Sequence, residues 1–414
     1  MKLPLNIHLK DALELADSGV WGPDDSDNGI SVLRSTNFND NGTLDVTKLA
    51  IRDVPEKKRV SKLLVPGDIL IEISGGGPKQ PVGRVCYFDG DDRPHLFGNF
   101  CQRFRSKPQI CNSRYLFWYL FWYHSIGRTI QFQKQTTGIR NLEYKRYISQ
   151  IINIPPISEQ RRIVEILDQA DAIRKKRIEA DKISERIIPA LFYKMFGDPL
   201  YLNAGNSFKR LYDCTEIVMG QSPPGDTYNQ EGQGLPFFQG KMEFGDYYPT
   251  VRKWCSEPTR IAEPGDVLMS VRAPVGPTNI VRETCAIGRG LCAIRPKPAI
   301  TNTQFIHSCL MAMETWIARK GQGSTFTAIK RKDVESIPFP DVPIQRQTSF
   351  ALKVQQIREY LLKTKDSSFS LETFFTTLLY RAFSGDLTDK WREAHMKELL
   401  PEMEEQAKYL NIEE

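Results

Sequence analysis

The chain has 414 residues, 40% of them hydrophobic and 26% charged, with 56 Lys and Arg against 50 Asp and Glu for a net charge of +6. That length exceeds one ordinary domain and predicts two or three globular units. The mild positive charge excludes a histone-like polycation but is compatible with nucleic-acid binding through local patches.

The N-terminal stretch Met1 to Lys10 lacks an apolar core, so no secretory signal is expected. The eight cysteines contain no Cys-x-x-Cys pair and no histidine cluster beside them, so buried, idle thiols in a reducing cytoplasm are expected, and no metal site. Pro66-Gly67-Asp68-Ile69-Leu70 opens an apolar strand over 68–73. Gly75-Gly76-Gly77-Pro78-Lys79 lacks the spacing of a phosphate-binding P-loop, and Pro78 has no amide hydrogen to donate. Asp89-Gly90-Asp91-Asp92 lacks the later Glu of a calcium loop and reads as a solvated hairpin tip. The longest apolar run, Tyr115 to Tyr123, is too short to cross a bilayer and predicts a buried aromatic helix.

A Pro-rich hinge, Asn153-Ile154-Pro155-Pro156-Ile157, then leads into a helix over 158–197. Its stripe is expected at Ile166, Ala170, Ile173, Arg177, Ala180, Ser184, Ile187 and Leu191, with a kink or new segment at Pro189. Residues 198–342 repeat the plan of 1–157. Leu9-Lys10-Asp11 has a partner in Leu211-Tyr212-Asp213, and Pro66-Gly67-Asp68 in Pro264-Gly265-Asp266. Ile152 to Arg161 matches Ile337 to Arg346, all in one order. A second helix over 343–384 carries a firmer seam at Phe350, Val354, Ile357, Leu361, Thr364, Ser368, Leu371, Phe375, Leu378 and Ala382. Steps of four and three keep such a stripe facing a partner helix. Two stripes in one chain predict an antiparallel intramolecular coiled coil, about 60 Å long for forty residues. Residues 385–414 form a tail. The fold class expected is α+β: two duplicated globular heads separated by two long helices, with pseudo-twofold symmetry.

Asn153-Ile154-Pro155-Pro156-Ile157-Ser158-Glu159-Gln160-Arg161-Arg162-Ile163-Val164, followed by Ile166-Leu167-Asp168, resembles the motif that ends a target-recognition domain in type I restriction-modification specificity subunits. Phe196-Gly197-Asp198-Pro199 and Ala382-Phe383-Ser384-Gly385-Asp386-Leu387-Thr388, with Lys390-Trp391-Arg392-Glu393, are further family-like junctions. The second hinge departs from the pattern: Asp341-Val342-Pro343-Ile344-Gln345-Arg346-Gln347 lacks the Glu before Gln and the paired Arg. The resemblance covers the whole chain. It implies two target-recognition domains, each reading one half of an interrupted DNA target, and helices that set the gap and dock modification (methyltransferase) subunits. Two modification and two restriction/translocase subunits are the implied partners. S-adenosylmethionine, ATP and Mg are implied on those subunits, with none here. The chain itself is implied to be a non-catalytic, cytoplasmic recognition subunit.

The DNA-reading candidates are polar and basic residues of Gly-rich loops beside strands. In the first head these are Arg34, Ser35 and Asn37, then Lys79 and Arg84, then Thr136, Thr137, Arg140 and Asn141. In the second they are Gln239 and Lys241, in the place of Arg34 to Asn37, then Arg272, Arg289, Gln322, Ser324, Thr325, Lys330 and Arg331. Trp21, Trp254 and Trp316 are expected in cores or against other subunits. The competing reading is a two-headed coiled-coil adaptor that binds proteins and not DNA. A self-contained methyltransferase is disfavoured because Asn153-Ile154-Pro155-Pro156-Ile157 has the wrong order for an Asn/Asp-Pro-Pro-aromatic motif.

Overall fold

The repeated Pro-Gly-Asp strings each build the same turn. Gly67 and Gly265 adopt φ of +98° and +91°, the left-handed region that favours glycine. Asp68 Oδ2 accepts from Val65 N at 3.0 Å, and Asp266 Oδ2 from Glu263 N at 2.8 Å. Both carboxylates are buried and take a bidentate pair from the neighbouring strand, Arg105 for Asp68 and Arg295 for Asp266. Each motif therefore fixes a turn and ties two strands together. This is a computed structural model; it describes residues 4–25, 27–77, 80–136, 139–201, 207–321 and 328–410.

The strands that follow these turns are central in two antiparallel sheets of one order. In the first head, Leu13–Ser18, Cys101–Ser106, Ile69–Glu72 and Val85–Tyr87 lie side by side in that sequence. In the second, the order is Thr215–Met219, Leu291–Pro296, Val267–Ser270 and Thr278–Ile280. Beside each sheet lies a parallel pair, Ile30–Leu33 with His95–Phe97 and Leu235–Phe238 with Cys285–Ile287. A helix covers each antiparallel sheet, Ser113–Ser125 in the first head and Thr303–Ala312 in the second. Asn112 and Asn302 cap them by accepting from backbone N–H groups of the first turn. The first is the expected aromatic helix, with Leu116, Trp118 and Leu120 fully buried. Each such side chain contributes about 2 kcal/mol of burial.

Each head closes on itself where the chain leaves it. Leu5–His8 pairs antiparallel with Ile151–Ile154, and Phe208–Arg210 with Pro338–Pro340. Long helices follow, Ile157–Ser184 and Ile344–Ser384. The first breaks at Glu185–Arg186 and resumes as Ile187–Phe196. Pro189 explains the break, since it has no N–H for the Glu185 carbonyl four residues back and its ring displaces that group.

The chain divides into two units. One comprises residues 1–176 with 368–414, the other 177–367, so each contains a head and a piece of both long helices. The five linear segments read from sequence therefore do not correspond to compact bodies. In the first unit the helix pieces run antiparallel: Arg174 pairs with Glu372 of the second helix, while Glu159, at the start of the first, pairs with Arg392 of the short helix beyond the second helix's end. Ile163, Leu167, Phe375, Leu378 and Ala382 join the head's aromatic helix in one core. In the second unit Phe192, Phe196, Phe350 and Val354 do the same.

The second-helix seam is buried or half-buried at every expected position. The expected first-helix stripe is corrected in part: Ile166, Ala170, Arg177, Ser184 and Leu191 are half-buried, but Ile173, Ala180 and Ile187 are exposed, and the fully buried positions are Ile163, Leu167, Asp171, Arg174 and Phe192. Asp171 and Arg174, buried and bonded at 2.8 Å, occupy places an apolar pattern cannot reveal, and the Arg174 guanidinium lies 4.5 Å over the Phe375 ring. The hinge match also shifts. Gln160 donates to Ile110 O and Pro155 O, at 3.0 and 2.8 Å. Gln347, not Gln345, repeats this with Ile300 O and Val342 O, at 3.0 and 2.7 Å.

Candidate nucleic-acid interface

In each head three segments cross where the first strand of the antiparallel sheet ends. A Cβ on Gly19 would lie 2.2 Å from Gly98 O, and one on Gly220 2.2 Å from Gly288 O, so only glycine allows the crossing. Gly98 N donates to Leu33 O at 2.7 Å and Gly288 N to Phe238 O at 2.8 Å, which brings in the end of the parallel pair. Val20 N donates to Phe97 O and Gln221 N to Ile287 O. This backbone is the same in both heads, but the side chains on it differ. The first head presents Trp21, 44% exposed, and Arg34. The second presents Ser222, Gln239 and Arg289, the last two exposed.

Both segments after the crossing form a one-turn helix, Ser35–Asn37 and Lys241–Glu243. Asn37 accepts from Arg34 N at 2.9 Å and donates to Asp45 O and Lys48 O. Glu243 accepts from Gly240 N at 2.9 Å in the same way. Asn37 is 2% exposed with its amide fully used, so it is corrected from a base contact to the residue that holds the turn. Arg84 is corrected likewise. Its guanidinium is paired with buried Glu72 and donates to Ser35 O and Phe38 O, which pins the turn from beneath. Lys241 is exposed at the tip of the second turn, and Ser35 is half-buried in the first.

A second sector adjoins the crossing. Ile73 N donates to Phe100 O and Val271 N to Gly290 O, both at 2.9 Å, joining the turn after Gly98 or Gly288 to the strand beyond the central sheet. In the first head Ser74–Gly76 continues into a three-stranded sheet with Gln133–Thr136 and Ile139–Leu142, which brings two of the polar segments together. Arg140 stands opposite Gly76, and Asn141 accepts from Ser74 Oγ at 2.6 Å. In the second head Arg272 is exposed and bridges Ala328. Leu142 N to Ile73 O and Ile329 N to Val271 O are equivalent bonds, so Arg272 occupies the place of Ser74. Lys330 and Arg331 open the short helix that follows, both exposed, with Arg331 paired to Glu335 at 2.7 Å. Lys79, Thr137, Gln322, Ser324 and Thr325 lie outside the described residues, as does the side chain of Thr136.

The remaining chemistry is internal. All eight cysteines are free and buried, and burial pushes the Cys101, Cys285 and Cys292 thiols up to about 12. Ser31, His95 and Asp91 are strung together at 2.6 and 2.8 Å, but His95 is fully buried and Ser31 also donates to Pro94 O, so the string fastens a loop. Among the described residues no helix is long and apolar enough to cross a membrane. Trp254 is half-buried in a strand. Trp316 packs on the second core beneath the Lys320 ammonium at 4.3 Å. Trp21 was not selected by sequence reasoning as a contact; the signal that points to it is the pair Gly19 and Gly98.

The family model described as "Type I restriction modification DNA specificity domain" matches twice, over residues 25–186 and 204–367. The putative type I restriction enzyme MjaX specificity subunit of Methanocaldococcus jannaschii is 28% identical over 377 residues, covering 86% of this chain and 88% of that protein. A chain solved in work on complex assembly and conformational transition of the type I R-M system is 26% identical. It has a TM-score of 0.62, covering 93% of this chain and 98% of that one. The type I restriction-modification S subunit from M. genitalium, at 16% identity, shares the fold with a TM-score of 0.53, over 92% and 98% of the two chains. With two copies of the domain spanning most of its length, the chain belongs to the type I restriction-modification DNA specificity family, as a specificity subunit.

Proposed function

We propose that each head reads one half of an interrupted duplex DNA target, that the long helices hold the two halves at a fixed gap and seat methyltransferase subunits, and that the chain supplies recognition without catalysis. One observation carries this reading: the crossing backbone is built twice, with Trp21 and Arg34 on one copy and Ser222, Gln239 and Arg289 on the other. Two readers of different sequences need a common scaffold and different donors. Arg suits guanine O6 and N7, and Gln suits adenine N6 and N7, while Lys and Arg on phosphates hold register.

The duplicated plan supports two modification subunits, one per unit, with two restriction/translocase subunits joining them. S-adenosylmethionine, ATP and Mg belong to those partners, and the complex works in the cytoplasm. The adaptor reading gains nothing from a family defined by DNA specificity. Exchange of residues 1–150 for the first head of another family member tests the proposal. Mapping of methylated sites should then find one half of the target changed and the other retained; a simultaneous change of both halves refutes independent readout.

A further inference from the structure

We propose that Trp21 and Arg34 are specificity-determining contacts of the first head with duplex DNA, and that Arg52 is the positioning residue for the indole. This rests on the DNA-reading assignment above and gives it residues.

Local backbone fixes the indole. A Cβ on Gly22 would lie 1.8 Å from Asp53 O, so this glycine lets the chain run against the edge of the strand Ala50–Arg52. Asp53 N donates to Pro23 O at 3.0 Å, and Asp24 bridges Arg52. The Arg52 guanidinium is thereby set 4.1 Å from the centre of the Trp21 ring and is ion-paired with Asp24. Its side chain is only 14% exposed, so it backs the indole and does not itself reach outward. Trp21 remains 44% exposed, in a chain that buries Trp118 completely.

Arg34 shares the same ground. A Cβ on Gly98 would lie 3.7 Å from Arg34 Cγ and 3.9 Å from Trp21 Cε3, so the arginine stem and the indole edge meet over this glycine. Arg34 Nε is buried and finds no hydrogen-bond partner. That nitrogen is shut in by the fold, so a partner can reach only the outer end of this half-buried side chain. A guanidinium beside an exposed aromatic face is suited to an incoming acceptor, and the acceptor pair that fits guanidinium geometry on DNA is guanine O6 and N7. The indole then meets the apolar part of the neighbouring base.

The second head supplies the comparison. Its strand-end bonds place Ser222 where Trp21 stands, and Gln239 follows the strand and packs on Gly288 as Arg34 follows its strand and packs on Gly98, with the turn starting one residue later, at Gly240. A hydroxyl and an amide replace an indole and a guanidinium on one scaffold, which changes the base preferred without changing the fold.

The test uses the full chain assembled with its methyltransferase subunits and a randomised duplex pool, with bound and methylated sequences read out. Trp21→Ser and Arg34→Gln import the second head's residues; Trp21→Phe and Arg34→Lys keep aromatic bulk and charge and guard against loss of folding. Arg34→Gln should relax or shift one position of the first half-site by about 10- to 100-fold, the range for one lost bidentate base contact. Arg34→Lys should relax the same position while retaining overall affinity. Trp21→Ser should alter the adjacent position, and Trp21→Phe should alter it less. Arg52→Ala should reproduce a weaker Trp21→Ser pattern. The second half-site should be unchanged throughout. Unaltered first-half preferences in Trp21→Ser and Arg34→Gln would overturn the proposal. So would loss of the methyltransferase subunits from the Trp21→Ser complex, which would assign the indole to a protein partner. A wild-type complex without any sequence preference would instead overturn the DNA-reading assignment beneath it.

Discussion

Glu159, 1% exposed at the start of the first long helix, is paired with Arg392 of the tail at 2.7 Å. Thr388 Oγ1 donates to the same carboxylate at 2.6 Å. Ser158 N donates to Glu402, Gln406 donates to Ile110 O, and Leu399 and Met403 are fully buried. The tail thus clasps the hinge of the first head. The second hinge has Arg346 at the place of Glu159; it donates to Met195 O and lies over the Phe196 ring.

Arg392→Leu leaves a buried carboxylate without its cation, which should cost the first unit about 3 kcal/mol. Hydrogen exchange should rise in Ile151–Ile154 and Ser113–Ser125 and stay unchanged in Val267–Ser270. Removal of residues 386–414 should enlarge that effect. Equal loosening of both heads would show that the tail is no local clasp.

Variants of Arg272 and Lys330 test the proposed separation of base reading from phosphate contact in the second head. Arg272→Ala should shift preference at one position of the second half-site, costing about 1–3 kcal/mol. Lys330→Ala should weaken binding to all sequences about equally and reduce the salt slope by roughly one charge. Binding titrations over a salt series on cognate and altered duplexes discriminate them, and an inverted pattern would exchange the two roles.

Spacing follows from the helices. Matched insertions of four residues after Ala180 and after Ser367 add about 6 Å to the pair, near two base pairs of duplex rise. Mapped methylation sites should retain both half-sites and show a longer gap. Activity on the original gap alone would remove the helices as the ruler.

His307 should make the second unit acid-sensitive. Burial, then the charge of Arg358, pushes this histidine down to about 3, against an ordinary value of 6.5. The folded state therefore holds it neutral, while the unfolded chain takes up a proton as pH falls below about 6.5. Stability is full above that value and falls toward about 3, by at most about 1.4 kcal/mol per pH unit. His307→Gln should lower Tm near neutral pH yet flatten its fall between about pH 7 and 5. An equally steep fall in the variant would place the acid sensitivity elsewhere.

The duplication, the Pro-Gly-Asp turns, the aromatic helix and the second-helix seam were all legible in the sequence, because each rests on local backbone preference or on apolar periodicity. Pro189 likewise announces the break after Ser184. Polar positions were not legible in this way. Asp171 and Arg174 face inward because they neutralise each other and meet Glu372 and Phe375 from the far end of the chain. Gln347 and not Gln345 repeats Gln160, since the register is set by carbonyls of Ile300 and Val342 and not by the neighbouring letters. Asn37 and Arg84 look like surface donors in the sequence but are consumed within the fold, while Trp21, a residue that composition assigns to a core, lies half open beside Arg34. Where a side chain is apolar, burial follows from its own chemistry and can be read from its spacing. Where it is polar, burial or exposure depends on partners brought from distant segments, and only the tertiary structure supplies those.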